Sequence, residues 1–202
     1  GISRKAAINM LVEKIPAWYF TSVKQMGGSG IVSKGKTTEV TLNLEPGLYV
    51  MECYIKEKGK FHTELGMIRP ITVLAETTNS DPPEANVDVT LSNFKIDTEG
   101  EIKEGENIVA VHFKEHPELG LGNDVHVIKM SEYTNIDSVI YWLDWMNIKG
   151  LQSPAPAEFI GGAQEMPVGN TAYFNLELEE GKYALISESG ASKGMIKTFV
   201  VK

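Results

Sequence analysis

The sequence predicts an all-β protein built from two β-sandwich domains, each with one short helix, and three observations lead there. The chain repeats itself. Its repeated blocks alternate apolar and polar residues with a period of two, and Gly-rich turns separate many short segments of this kind. Gly27-Gly28, Gly35, Thr37, Leu42, Leu44, Glu45, Gly47 and Tyr49 recur as Gly161-Gly162, Gly169, Thr171, Leu176, Leu178, Glu179, Gly181 and Tyr183, always at an interval of 134 residues. The repeat resumes with Gly66-Met67-Ile68 and Val73 matching Gly194-Met195-Ile196 and Val201 at an interval of 128. Two copies of one folding unit account for this.

Taken in order, residues 3–15 place Ile8, Leu11, Val12 and Ile15 on one helical face, and Pro16 ends it. Thr38–Leu44 and Leu48–Tyr54 are predicted strands joined by the Glu-Pro-Gly47 turn, and Met67–Leu74 closes the first copy. Glu76 to Glu84 is polar, Pro-containing and aperiodic, so residues 76–85 are assigned to a linker between a first domain at 1–75 and a second at 86–202. In the second copy Val87–Phe94, Asn107–Phe113, Val125–Met130, Ala172–Leu178, Lys182–Ser187 and Met195–Lys202 are expected strands. Residues 134–146 are an expected helix, with Ile136, Val139, Ile140 and Leu143 facing a sandwich. The second copy has strands ahead of its helix and the first has none, so the first domain is expected to be N-terminally incomplete, its strands supplied by the parent polypeptide or by another chain.

Composition excludes several functions. A net charge of −8 and a pI near 5.1 leave no basic face for nucleic acid. No apolar run reaches membrane-spanning length, and the N-terminus lacks a signal-peptide pattern. One cysteine excludes an intrachain disulfide. No catalytic constellation is present: Gly27-Gly-Ser-Gly30 lacks the Lys-Ser/Thr of a phosphate loop, and no Gly-x-Ser-x-Gly elbow occurs. The reading therefore leans away from an enzyme.

The stretch from Cys53 to Met67 collects a thiol, an imidazole at His62 and a thioether, the donor types of a blue-copper electron-transfer centre. Pro46-Gly-Leu-Tyr-Val-Met-Glu-Cys53 followed by Lys60-Phe-His62-Thr-Glu-Leu-Gly-Met67-Ile resembles the C-terminal ligand hairpin of the cupredoxins. In that family a Cys ends one strand, a His follows in the loop, and a Met lies five positions beyond the His. Asp124-Val-His126-Val-Ile-Lys-Met130 is similar to the strand that carries the family's first His ligand. The resemblance implies two cupredoxin-like Greek-key β-sandwiches and a copper cofactor in the first, held by Cys53, His62, Met67 and an upstream His. It also implies electron transfer or copper handling with a redox partner protein, in a periplasmic or secreted setting. A strand-completing homo-oligomer would be one way to fill the first domain.

The second copy departs from the pattern. Ser187 stands at the Cys position and residues 188–193 contain no His, so that domain is expected to be metal-free. His126 between Val125 and Val127 reads as a half-buried strand residue. A zinc site from His112, His116 and Glu115 or Glu118 lacks a second ligand pair at suitable spacing. The alternative function is a metal-free β-sandwich serving as an interaction or carbohydrate-facing module.

Overall fold

The computed structural model describes residues 23–76, 80–117, 122–144 and 147–202. The expected helix over 3–15, part of the expected linker, Glu118, Trp145 and Met146 lie outside the described residues. The strands, numbered along the chain, are β1 Val40–Thr41, β2 Gly47–Glu52, β3 Lys56–Glu57, β4 Lys60–Phe61, β5 Ile68–Val73, β6 Val87–Ser92, β7 Lys95–Gly100, β8 Gly105–Phe113, β9 Val125–Met130, β10 Glu158–Ala163, β11 Thr171–Leu178, β12 Gly181–Ile186 and β13 Ile196–Val201. Among the described residues one helix, α1, spans Ile136–Leu143, and a short 3-10 turn covers Ala191–Lys193.

The chain divides into two compact units. One gathers the described residues within 25–44, 77–135 and 157–202; the other gathers those within 23–24, 45–76 and 136–156. The larger unit is a sandwich of a five-stranded sheet, ordered β1-β11-β8-β6-β7, and a four-stranded sheet, ordered β10-β9-β12-β13. Alternation explains it. Val87, Val89 and Leu91 of β6 and Ala172, Phe174, Leu176 and Leu178 of β11 are buried while the residues between them are more exposed. They form one core with Val125 and Val127 of β9 and Tyr183 and Leu185 of β12. β6 pairs parallel with β8, and the other pairings are antiparallel.

One open side of this sandwich is laced by residues 27–41. β1 pairs with β11 at the edge of the five-stranded sheet, while Ser29 and Val32 bridge Ala163 and Ile160 of β10 at the edge of the other. The capping of both edges by one segment removes unpaired backbone from solvent.

The smaller unit contains the β2–β5 hairpin, the β3–β4 hairpin and α1. Val139, Trp142 and Leu143 of α1 are buried, and the Trp142 indole N–H donates to the Gln152 carbonyl at 2.6 Å. Lys56 is almost wholly buried, which its amine tolerates by donating to the carbonyls of Asn147 and Gly150 at 2.9 and 3.0 Å. Among the described residues β2 pairs only with β5, and Leu48, Val50, Met51 and Ile68 are exposed.

The β2–β5 and β12–β13 hairpins are paired alike. Gly47–Glu52 faces Ile68–Val73 in the register that Gly181–Ile186 keeps with Ile196–Val201, pair for pair over six residues. The Tyr49 hydroxyl donates to the Glu45 carbonyl at 2.7 Å, and the Tyr183 hydroxyl to the Glu179 carbonyl at 2.9 Å.

Candidate functional site

The loop that follows β2 begins at Cys53 and ends at Met67. Its backbone is tied by Cys53 N–H to Met67 O (3.2 Å), Thr63 N–H to Cys53 O (2.9 Å) and Met67 N–H to His62 O (2.8 Å). These bonds place Cys53 Sγ 3.5 Å from His62 Nδ1, on partly buried side chains. The structure thus brings together two of the three residues singled out from sequence. The third, Met67, joins them by backbone, and its side chain is exposed. Burial pushes the Cys53 thiol up, and the neighbouring Glu52 carboxylate adds to this against a backbone hydrogen bond at Ile55. The β3–β4 hairpin, inserted between Cys53 and His62, accounts for the long spacing.

The corresponding loop after β12 has the same skeleton. Ser187 N–H reaches Met195 O at 3.1 Å, Ala191 N–H reaches Ser187 O at 2.9 Å, and Met195 N–H reaches Gly190 O at 3.0 Å. Matching these bonds one by one equates Cys53 with Ser187, His62 with Gly190 and Met67 with Met195. A side chain is sterically excluded at Gly190, because a Cβ there would stand 2.3 Å from the Met195 Sδ. The thioether occupies the ground an imidazole would need.

A different cluster fills this end of the sandwich. Asp124, His126 and Glu188 are buried, with ligand-type atoms within 4.8 Å of one another. His126 Nε2 lies 3.2 Å from Asp124 Oδ2 and 3.8 Å from Glu188 Oε2. Asp124 Oδ1 accepts from the Ser187 hydroxyl at 2.8 Å and from the Glu188 N–H at 2.7 Å. His126 itself is fully buried rather than half-buried, with the Phe159 ring edge-on at 6.1 Å. Burial opposes charge on this ring, yet Asp124 and then Glu188 outweigh burial and push His126 up to about 9.

The other nitrogen faces a competing demand. Ile31 N–H donates toward His126 Nδ1 at 3.1 Å, which requires a lone pair there. One such hydrogen bond contributes about 1 kcal/mol, whereas two buried carboxylates without a counter-charge cost several. The two carboxyls beside the ring therefore favour a cation next to Asp124 and Glu188. Imidazolium meets that need, and a divalent ion on Nε2 with the two carboxylates would meet it equally. Either leaves an N–H at Nδ1, so the Ile31 bond forms fully only with the neutral, metal-free ring.

His112 and His116 do not converge on a shared site. His112 contacts Asp88 at 2.7 Å and Thr171 at 3.1 Å, while His116 contacts the Met166 carbonyl at 2.6 Å and accepts from Asn123 N–H at 3.0 Å. Sequence reasoning missed Asp124, Glu188 and Gly190. Asp124 and His126 lie two apart at the start of a strand, a spacing that favours one face; Glu188 carries no such signal.

No family model matches the chain, and no curated protein matches it. Among solved structures, it is similar to a dithionite-reduced auracyanin from Roseiflexus castenholzii, at 13% identity with a TM-score of 0.41 over 57% of this chain and 94% of that one. It is also similar to an azurin from Methylomonas sp. strain J, at 15% identity with a TM-score of 0.37 over 57% and 95%. A third is auracyanin B, at 13% identity with a TM-score of 0.37 over 61% and 92%. Auracyanin and azurin are cupredoxins.

Proposed function

We propose that the first copy of the repeat is a mononuclear copper site for electron transfer or copper handling, with Cys53, His62 and Met67 as ligands, and that the second copy holds no copper. The supporting observation is the 3.5 Å separation of Cys53 Sγ and His62 Nδ1. Two donors bound to one first-row ion at ~2.0–2.3 Å stand about that far apart. The donor set is soft enough for copper, which when bound supplies a one-electron carrier.

The residues themselves do the rest. The backbone bonds among Cys53, His62, Thr63 and Met67 hold the ligand loop to its hairpin, so little rearrangement accompanies a change in ligand charge. Because burial raises the Cys53 thiol, copper must displace a proton, and uptake tightens as pH rises. A further imidazole would enter where a strand pairs with β2 as β9 pairs with β12, which sets His126 against Ile186, the counterpart of Glu52. A redox partner protein and a periplasmic or secreted setting follow from this reading.

The test is Cu(II) added to the whole chain with free imidazole as the exogenous ligand. A thiolate-to-copper absorption band is expected, abolished by Cys53→Ser and weakened by His62→Ala. Absence of the band while Cys53 is reduced would end this reading. It would favour the second one, a metal-free interaction module, which draws support from exposed Leu48, Val50, Met51 and Ile68 on the β2–β5 hairpin.

A further inference from the structure

The segment that laces the open side of the larger unit is bonded to its own repeat counterpart. Ser29 is opposite Ala163 and Val40 is opposite Phe174, and each pair is separated by the repeat interval of 134 residues. Each residue therefore faces its own equivalent. The hydrogen bonds come as mates under the same exchange. Gly30 N–H donates to Gly162 O at 2.9 Å, and Gln164 N–H to Gly28 O at 3.0 Å; Gly161 N–H donates to Ile31 O at 3.1 Å, and Gly27 N–H to Glu165 O at 2.8 Å. Ser33 N–H reaches Phe159 O at 2.8 Å without a mate, because Pro167 stands where the second donor would be. This is the bonding of a local two-fold axis, in which one surface recognises itself.

We infer that residues 27–41 and 159–175 form a self-complementary recognition ribbon, and that a second copy of this chain is a partner for it, docking its own 27–41 on the 159–175 edge in place of the resident segment. The occupant is defined by fit. A Cβ at position 30 would lie 2.5 Å from the Gly161 carbonyl oxygen, so Gly30 enters where a side chain would not. The segment 159–175 carries Gln164 at that place, which makes 27–41 the better occupant. An exchange of this kind creates no new contacts and leaves both sheet edges covered, the condition under which strand exchange between identical chains has little energetic cost.

Disulfide trapping in the full chain tests this. In a Cys53→Ser background, Ser29→Cys and Ala163→Cys together occupy one axis pair, which is a non-hydrogen-bonded antiparallel pair with its Cα atoms about 4.5 Å apart. Refolding at low protein concentration is expected to close the disulfide within one chain. Refolding at high concentration is expected to yield disulfide-linked dimers on a non-reducing gel. Adding Gly30→Val is expected to lower both products by roughly tenfold or more, because the backbones can no longer approach. No disulfide at either concentration would refute the ribbon. Closure only within single chains at every concentration would refute recognition of a second copy, and cross-linking unaffected by Gly30→Val would refute the fit.

Discussion

The loop from Cys53 to Met67 and the loop from Ser187 to Met195 are two versions of one backbone, held by matching hydrogen bonds, yet they do opposite things with charge. The first sets a partly buried thiol against an imidazole, with no carboxylate in that contact. The second has a hydroxyl, a glycine and a thioether in the corresponding places, and beside them a buried histidine between two carboxylates. The comparison teaches that one loop backbone can carry two different sets of side chains. A hydrogen-bonded turn is specified by glycines and main-chain geometry, here Gly66 and Gly194 at φ of 101° and 93°, whereas the site depends on three or four side chains.

The largest effect should come from breaking the charge balance of the second loop. His126→Leu leaves Asp124 and Glu188 buried without a counter-charge, and is expected to destabilise the larger unit by about 3–5 kcal/mol in urea unfolding. Cys53→Ser in the first loop exchanges one small half-buried polar group for another and should change stability by less than about 1 kcal/mol. Equal effects from the two substitutions would show that the second cluster is not held by charge.

The same cluster fixes a pH dependence. His126 is raised from 6.5 to about 9 in the folded chain, so its contribution is fully present below about pH 6.5 and is lost as pH rises through about 9. The size of that contribution is on the order of 3 kcal/mol. Unfolding midpoints measured between about pH 6 and pH 10 should fall accordingly, and Asp124→Asn should flatten the curve. A midpoint that rises with pH would contradict the charge assignment. Copper uptake by the first loop is expected to run the other way, tightening with pH as Cys53 gives up its proton.

How much of this was legible in the sequence follows from how each element is buried. β6, β9 and β11 announce themselves, because each sets alternate apolar residues on the core. β7 hides in Lys-Ile-Asp-Thr-Glu-Gly, an edge strand with one core residue, Ile96, and the acidic run beyond it reads simply as solvated. β10 is obscured by Gly161-Gly162, whose value lies in close backbone approach: a Cβ on Gly162 would stand 2.0 Å from the Val125 carbonyl oxygen. The residues matched at intervals of 134 and 128 were plain, and so was the Cys53–His62–Met67 grouping. The equivalence of His62 with Gly190 was not, because the β3–β4 insertion shifts the register and only the main-chain bonds restore it. Asp124 and Glu188 are 64 residues apart and meet only through the strand pairing of β9 with β12.

The smallest predicted difference isolates burial from hydrogen bonding. Tyr49 and Tyr183 make the same bond, hydroxyl to the carbonyl four residues earlier, at 2.7 and 2.9 Å. Tyr183 is buried in the larger unit and stacks on Phe199 at 5.5 Å, while Tyr49 sits on the open hairpin. The Tyr183 side chain is buried and its bond to the Glu179 carbonyl is partly buried, so Tyr183→Phe is expected to cost about 1 kcal/mol. At Tyr49 water replaces the lost partner, and Tyr49→Phe should cost only a few tenths of that, within the usual range for surface substitutions. Should Tyr49→Phe prove the more damaging, the β2–β5 hairpin would be covered in solution. The covering element would then be whatever strand completes it.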